Sequence, residues 1–260
     1  LSDSVIDNLI IEGLIGKTIE VIKMRELMNL GLATNVLIQP LYLKYTEQIE
    51  KDVKKMKWSE ENSFIRTQEN RNEFIAKLSN SFPDKNVMVI YQNKDTAENI
   101  LEEIIKLRNP SKEYKTKNYQ GPNEEKVYLS WGATKASNRD DFRGYLEKDE
   151  GNILLGTVSI VSTGINIKNV HVFIFANLGK SMTLVIQAVG RLVRLHKSKD
   201  NAIVYDIVDD VRYTVKRSGN VYENYMFKHW KERLNIYNNE EFDLLEPKHV
   251  QLQIKEKIKF

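Results

Sequence analysis

The chain has 260 residues, 41% of them hydrophobic and 9% aromatic, which excludes a wholly disordered protein and predicts one large domain or a domain with extensions. Lysine and arginine number 39 against 36 acidic residues, and the resulting net charge of +3 permits nucleic-acid binding without requiring it. The lack of cysteine excludes disulfides, thiol catalysis and zinc–thiolate sites.

No apolar run approaches the length of a bilayer span, and no secretory signal precedes the first helical stretch. We therefore expect an intracellular protein without membrane association. The chain starts at Leu1 rather than at a methionine, which indicates an excerpt of a longer protein.

Residues 1–83 form the first of three predicted segments and contain a bent strand followed by helices. Asn35–Tyr45 has the composition of a strand, but Pro40 interrupts it. Because proline cannot donate to a strand ladder, this pattern favours an edge or bent strand. Apolar residues at helical spacing then predict helices over Glu47–Met56 and Glu69–Phe82.

Residues 84–215 predict a domain in which short apolar strands alternate with helices. Strict alternation favours an α/β fold with a doubly wound, mainly parallel sheet and helices on both faces. Ligands of such sheets bind at the carboxyl ends of strands, where Gln92, Thr157 and Asn177 fall. The predicted strands are Asn86–Gln92, Val127–Ser130, Asn152–Thr157, His171–Ala176 and Ala202–Ile207, and the predicted helices are Thr96–Leu107, Asn138–Glu147 and Met182–Leu195.

Residues 216–260 predict a C-terminal helix and a tail. An amphipathic pattern covers Tyr222–Tyr237, whereas Glu246–Phe260 alternates weakly, as an appended strand or a tail would. The side chains expected to face inward from the helix are Phe227, Trp230, Leu234 and Tyr237.

Two patterns that invite a nucleotide or metal site are rejected. A Gly-Lys pair at residues 16–17 follows Gly13, but a P-loop would need its first glycine at Ile11, so we expect a turn before a strand. Asp209 and Asp210 are adjacent, and adjacent carboxylates point apart, so we expect a solvated loop or helix cap. The four histidines lack metal-ligand spacing, and no metal site is predicted.

The run QAVGRLVR at residues 187–194 is the most informative in the chain. Residues three and four apart share a helix face, so the run predicts one polar stripe. Arginines on such a stripe offer permanent charge and many N–H donors to a phosphate chain. A glycine inside a helix costs about 1 kcal/mol, which indicates that something approaches closely. The alternative is a surface helix with solvated arginines. The stripe consists of Gln187, Gly190, Arg191 and Arg194.

A second informative run, STGIN at residues 162–166, follows the strand that ends at Thr157. Glycine lets the backbone approach a ligand, and the hydroxyl groups can donate to phosphate or ribose oxygens. A plain turn is the alternative. The position of the loop after the carboxyl end of a strand favours a ligand-binding role.

Together these runs resemble motifs V and VI of the second RecA-like domain of superfamily-2 helicases. The run SWGAT at residues 130–134, with Arg139 five residues later, strengthens the resemblance. Within the superfamily the chain is similar to the recombination helicases of T-even phages, through the runs STGINIKNVH, QAVGRLVRLHKSK and VYDIVDD. The resemblance covers roughly Leu1 to Gln251 and is most specific in the second half.

The resemblance implies an ATPase built between two RecA-like domains, of which this chain is the second. ATP and Mg²⁺ would be bound mainly by the first domain, which the chain lacks. Arg194 would be the main arginine finger on the γ-phosphate, with Arg191 beside it, and Gln187 would link ATP and water. The residues implied to face the nucleotide are Gly164, Asn166 and Gly190.

The resemblance also implies contacts with the nucleic-acid backbone. Thr157 would make one of them, together with Gln92 and Asn93 after the first strand of the domain. The loop after Thr157 is one residue longer than in most relatives, so Ser159 is an alternative contact. Asn166 stands where many relatives carry aspartate, which weakens a role at the nucleotide.

The implied function is the C-terminal motor half of an ATP-dependent DNA helicase that remodels branched or duplex DNA in recombination or repair. Its partners would be DNA, bound independently of sequence, and the missing first RecA-like domain. It would act in the bacterial cytoplasm if a phage encodes it, and the excerpt alone would be inactive. The alternatives are the motor domain of a restriction-enzyme translocase and a non-catalytic nucleic-acid-binding module with a decayed RecA-like fold.

Overall fold

Strands and helices alternate along the chain, and a computed structural model describes residues 5–16, 22–110, 125–157, 167–215 and 218–252. The described helices are α1 (Val5–Ile15), α2 (Met24–Asn29), α3 (Glu47–Val53), α4 (Trp58–Arg66), α5 (Glu69–Asn80), α6 (Lys94–Arg108), α7 (Ala136–Lys148), α8 (Met182–Leu192) and α9 (Tyr225–Asn239). The described strands are β1 (Asn35–Lys44), β2 (Val87–Tyr91), β3 (Val127–Ser130), β4 (Ile153–Thr157), β5 (Val172–Phe175), β6 (Asn201–Asp210), β7 (Tyr213–Thr214), β8 (Val221–Tyr222), β9 (Asp243–Leu244) and β10 (Lys248–Gln251).

One sheet of eight strands organises the fold. Seven strands lie in the order β10-β1-β6-β5-β2-β4-β3, and β9 pairs with β1 beside β10. All of these pairings are parallel. Every residue of β2 and β5 is buried, as expected for strands covered on both faces. The predicted α/β fold with a parallel sheet is confirmed.

Alternate side chains of the strands enter two separate apolar cores. In β2, Met88 and Ile90 face the core that is covered mainly by α2, α7, α8 and α9. Val87 and Val89 face the opposite core, which is covered by α3, α4, α5 and α6. Helices therefore lie on both faces of the sheet, as the sequence predicts.

The three predicted segments all contribute strands to this sheet. β1 comes from residues 1–83, β2 to β6 come from residues 84–215, and β9 and β10 come from residues 216–260. The division into segments stays a prediction about chain organisation. The C-terminal helix is confirmed as α9, and the appended-strand alternative is found in β10.

Of the two alternatives for the strand with Pro40, the edge strand is wrong, because β1 lies inside the sheet, and the bent strand stays a prediction. β6 pairs with all ten residues of β1 on one side. On the other side β9 pairs with residues 37–38 and β10 with residues 41–44, so Pro40 falls in the gap between them. At this gap no ladder bond needs the N–H that proline lacks. The Gln39 Nε2 donates across the gap to the carbonyl of Glu246 at 2.9 Å.

Arg71 of α5 is fully buried and pairs with Asp209 of β6. Its Nε donates to Oδ1 at 2.7 Å and its Nη2 to Oδ2 at 3.0 Å, which is a bidentate geometry. The same Nη2 donates to the carbonyl of Ala176, just past β5. The Tyr45 hydroxyl donates to Asp209 Oδ1 at 2.6 Å. This pair therefore joins α5, β6 and the residue that follows β5.

Arg233 of α9 makes a corresponding pair with Asp206 of β6 from the other face of the sheet. Its Nε and Nη2 donate to the two carboxylate oxygens at 2.8 and 2.7 Å. The Tyr237 hydroxyl donates to Asp206 Oδ2 at 2.7 Å. Arg233 Nη1 donates to the carbonyl of Gly179 at 2.7 Å. Helices on opposite faces thus hold residues 176–179, which lead into α8.

The expectation that Asp209 and Asp210 form a solvated loop or cap is wrong. Both are buried at the end of β6, because the strand extends three residues beyond its predicted end. Asp210 accepts hydrogen bonds from Lys44 and from Arg212 Nε, the latter at 2.7 Å. Burial raises the pKa of Asp210, but these hydrogen bonds outweigh burial and hold the pKa below its ordinary value. Each carboxylate of the pair is thus matched by cationic side chains.

Replacing Arg71 with methionine should lower the free energy of unfolding by about 3–5 kcal/mol, because Asp209 would stay buried without its cation. The measurement is urea unfolding at neutral pH. Lys77→Met on the same helix is the control, since Lys77 makes only an exposed pair with Glu73; it should cost less than about 1 kcal/mol. Equal losses for the two variants would contradict a structural role for the buried pair.

Candidate functional site

Helix α8 positions the predicted arginine stripe. Ser181 caps its start, and its hydroxyl accepts a hydrogen bond from the Leu184 N–H at 3.4 Å. One face of the helix is buried in the core, whereas Gln187 is exposed and Arg191 is partly exposed. The amphipathic pattern predicted from the sequence is therefore present. The buried residues of this face are Val185, Ala188, Val189 and Leu192.

The predicted helix end at Leu195 is wrong, because α8 stops at Leu192 and Arg194 lies in the turn that follows. The last carbonyl groups of a helix have no partner within the helix. Here a neighbouring segment donates hydrogen bonds to the carbonyl groups that follow the helix end. Thr34 donates its backbone N–H to the Val193 carbonyl at 2.7 Å and its hydroxyl to the Arg194 carbonyl at 3.3 Å. These contacts fix the turn that carries Arg194.

Arg191 and Arg194 form a local cluster of positive charge. Both side chains are partly exposed, so neither is a buried strut. Burial, and to a lesser degree the charge of Arg194, lowers the pKa of Arg191 below its ordinary value. A guanidinium still remains protonated at neutral pH. Two like charges held close together attract an anion, and the planar donor groups suit a phosphate chain.

No described protein group approaches Gly190 closely enough to require a glycine at this position. A Cβ at this position would lie 3.5 Å from the Met24 Cε, which is ordinary van der Waals contact. Among the described residues nothing else lies within 4 Å of that point. An alanine therefore fits in the chain as it stands, and any need for glycine comes from a group outside the described residues.

Lys199 fixes the end of α8 and was not predicted. Its Nζ donates to the Leu192 carbonyl at 2.6 Å and to the Lys168 carbonyl at 3.1 Å. Burial lowers the pKa of Lys199 to about 8. A cation at a helix carboxyl end is favoured by the helix dipole. No periodicity in the sequence distinguishes this lysine from its neighbours.

The predicted nucleic-acid contacts Thr157, Gln92 and Asn93 come together at the carboxyl edge of the sheet. Thr157 is the last residue of β4 and is in register with Tyr91, the last residue of β2. Gln92 and Asn93 follow directly. Gln92 is exposed, and its Nε2 donates to the Leu178 carbonyl at 3.1 Å. Ser159, Gly164 and Asn166 lie outside the described residues.

Lysines at this edge were missed by the sequence analysis. Lys94 is the first residue of α6, Lys135 precedes α7, and Lys180 lies two residues before α8. All three are exposed. Each helix follows a parallel strand, so its N-terminus, with positive partial charge, lies at the carboxyl edge. A lysine at the start of consecutive helices is a signal that could have been recognised.

The predicted arginine pair and the predicted nucleic-acid contacts lie at opposite ends of the parallel strands. α8 runs back from the carboxyl ends of the strands, so the arginine pair lies near Thr34, which precedes β1, and Lys199, which precedes β6. Thr157 lies at the other end of the strands, and the five residues of β4 alone span about 17 Å. Residues 158–166 connect Thr157 to the segment that Lys199 holds at Lys168.

The SWGAT run forms a fixed turn after β3. The Thr134 hydroxyl accepts from the Trp131 backbone N–H at 2.9 Å, and the Trp131 carbonyl accepts from the Thr134 N–H at 2.9 Å. Arg139 donates to the carbonyl of Thr134 at 3.0 Å and to that of Gly132 at 3.1 Å. Arg139 therefore stabilises this turn.

Histidines and carboxylates in the described ranges form no group of three or more that could hold a metal ion. His171 is buried, and its Nδ1 accepts a hydrogen bond from the Asn86 N–H at 3.3 Å, so it has a packing role. His196 contacts the Ser198 hydroxyl at 2.7 Å. The helices of the described segments are all too short or too polar to cross a bilayer.

Comparison with known proteins finds similarity to helicases. Residues 70–196 match the family described as helicase conserved C-terminal domain. The chain is 28% identical over 237 residues to the ATP-dependent DNA helicase UvsW of Enterobacteria phage T4, covering 89% of this chain and 44% of that protein. The crystal structure of T4 UvsW matches with a TM-score of 0.67 and 25% identity, over 85% of this chain and 42% of that one. The resemblance inferred from the sequence is confirmed.

A fragment assigned to an HsdR subunit of a type I restriction enzyme from Vibrio vulnificus YJ016 shares the fold. Its TM-score is 0.59 at 12% identity, over 96% of this chain and 43% of that one. At this identity the match shows the fold alone. The chain spans less than half the length of UvsW, the curated relative it matches.

Gly190→Ala should raise the free energy of unfolding by about 0.5–1 kcal/mol, because alanine is the better helix former and its Cβ meets only ordinary contact. Gly144→Ala in α7, where nothing lies within 4 Å of the added carbon, is the matched control and should give a similar gain. Gly179→Ala should destabilise, because φ is +74° and its Cβ would lie 2.6 Å from Gln92 Nε2. A loss for Gly190→Ala in urea unfolding would contradict this packing.

Proposed function

We propose that this chain, with its helicase conserved C-terminal domain and its likeness to T4 UvsW, is the C-terminal motor half of an ATP-dependent DNA helicase. The whole protein would remodel branched or duplex DNA. The observation that carries the proposal is the pair Arg191 and Arg194, which is partly exposed and held at the fixed end of α8. Such an enzyme works where the DNA is, in the bacterial cytoplasm if a phage encodes it.

ATP would bind between this domain and an N-terminal RecA-like domain of the same protein. The guanidinium donors of this chain suit the γ-phosphate, where they stabilise charge that develops during phosphoryl transfer. Arg194 and Arg191 would reach the γ-phosphate, and Gln187 would orient the nucleotide and water. Gly190, Gly164 and Asn166 would face the nucleotide. Mg²⁺ needs oxygen ligands that the arginine cluster does not provide, so the other domain would hold it.

DNA would bind at the carboxyl edge of the sheet. Thr157, Gln92 and Asn93, with Ser159 in the adjoining loop, would contact the phosphate backbone. The helix N-termini and the exposed lysines at this edge support such contacts because both favour anions. Backbone contacts carry no sequence information, so binding would be independent of sequence and sensitive to salt.

The proposed DNA contact Thr157 and the residue that Lys199 ties to the end of α8, Lys168, are close together in the sequence. Residues 158–166 begin at Thr157 among the proposed DNA contacts and end before Lys168, which Lys199 ties to the end of α8. We propose that this connection couples closure of the two RecA-like domains around ATP to the grip on DNA.

Replacing Arg194 with alanine in the natural full-length protein should lower DNA-stimulated ATP hydrolysis by about 10³- to 10⁵-fold, while nucleotide binding is retained. The assays are phosphate release and equilibrium binding of a fluorescent ATP analogue. Arg143→Ala on the exposed face of α7 is the control and should leave turnover unchanged. Hydrolysis by the Arg194 variant at the wild-type rate would refute the arginine-finger role.

Replacing Lys135 with alanine should reduce the slope of log affinity against log salt for single-stranded DNA by about 0.7, because one phosphate contact is lost. Fluorescence anisotropy at several salt concentrations gives the slope. Lys148→Ala is a matched control, since this exposed lysine ends the same helix about 20 Å away. Equal slopes for the two variants would place the DNA elsewhere.

A further inference from the structure

Trp131 lies directly beside the proposed DNA-backbone contacts. It follows Ser130, the last residue of β3, which is in register with Gly156 of β4. The next residue of β4 is Thr157, whose partner across the sheet is Tyr91 of β2. With strands about 4.8 Å apart, Trp131 stands roughly 10 Å from the end of β2 along the carboxyl edge. No residue of β3 was assigned a role above.

The indole of Trp131 is only partly covered by protein. Part of the side chain packs against the core under α6, and the rest lies at the edge of the sheet. The Lys94 ammonium lies 4.8 Å from the ring centroid, in a cation–π contact. Lys94 is exposed and also pairs with Glu98 on its own helix at 2.9 Å, so its contact with the ring is open to solvent. In the described part of the chain, the indole N–H donates to no protein group.

A cavity of about 80 Å³ adjoins the ring, lined by both polar and apolar side chains. Thr134, Lys135 and Asn138 contribute its polar side, and Phe142 contributes to its floor. The turn that presents Trp131 is held by the Thr134 and Arg139 hydrogen bonds described above. The ring is thus preorganised, which lowers the entropy cost of binding a planar partner.

We propose that Trp131 stacks on an unpaired base of single-stranded DNA bound along the carboxyl edge. This proposal rests on the proposed helicase function and adds a contact to the base rather than to the backbone. In the stacked state the base takes the place of the Lys94 ammonium on the ring, and Lys94 pairs with a neighbouring phosphate. Stacking on an aromatic ring accepts every base, because each base has a π face.

The occupant is single-stranded rather than duplex DNA. Bases inside a duplex are already stacked on one another and present only their edges in the grooves. An indole at the rim of a basic edge can reach a base face only where the strands have separated. Trp131 would therefore engage one strand at the point of separation.

The test compares two oligonucleotides of equal length, one of deoxythymidine and one with the same backbone but abasic sites. Binding to the natural full-length protein is measured by anisotropy. Trp131→Ala should weaken binding to the base-bearing strand by about five- to hundredfold, which corresponds to the stacking loss of one base. Binding to the abasic strand should change less than about twofold by the same reasoning. Trp131→Phe, which keeps an aromatic face, should retain most of the affinity.

Lys94→Ala should give a different result, weakening binding to both strands because it removes a phosphate contact. Thermal unfolding of each variant separates lost binding from lost folding. Equal weakening on both strands by Trp131→Ala, or no weakening on either, would overturn the stacking proposal. If the wild-type protein binds neither strand, the helicase proposal itself fails. If the wild-type protein binds both strands but Trp131→Ala does not weaken binding to the base-bearing strand selectively, the stacking proposal fails and the helicase proposal stands.

Discussion

Two buried arginine–aspartate pairs on β6 determine where the arginine cluster lies. Arg71 reaches Asp209 from one face of the sheet, and Arg233 reaches Asp206 from the other. Each arginine also donates to a carbonyl of the short loop after β5, at Ala176 or Gly179. This loop starts α8, so the direction of the helix depends on both pairs. A buried charge without its partner is costly, and the loop is therefore held firmly at both ends.

The parallel sheet could be predicted because its strands are short, apolar and separated by helical patterns, which leaves few other folds. The end of α8 could not be predicted, because it depends on Thr34, which lies 160 residues away in the sequence. No pattern near residue 192 indicates this contact. The burial of Asp209 likewise depends on Arg71, which looks like any surface arginine of a polar helix. Pro40 misled the prediction because the gap between β9 and β10 exists only in the folded sheet. At the candidate site, residue types were predictable and long-range supports were not.

The separation of the arginine cluster from the carboxyl edge matters for a two-domain motor. In the proposed function, the phosphate chain of ATP and the DNA strand would therefore not compete for the same cations. The sheet between them is buried on both faces and densely packed, so it moves as a unit. Movement of the whole domain on ATP binding would then carry both sets of proposed contacts together, and Lys199 ties the end of α8 to Lys168.

The hydrogen bonds of Arg233 and Tyr237 to Asp206 limit how the C-terminal helix of this chain can be replaced. Arg233 of the C-terminal helix neutralises Asp206 of β6, a strand in the middle of the sheet. The helix therefore cannot be exchanged without regard to this buried charge. A hybrid that joined this sheet to the C-terminal extension of a distant relative would inherit an orphan carboxylate in its interior. An extension added to this chain would disturb neither this pair nor the sheet if it followed β10, the last described strand.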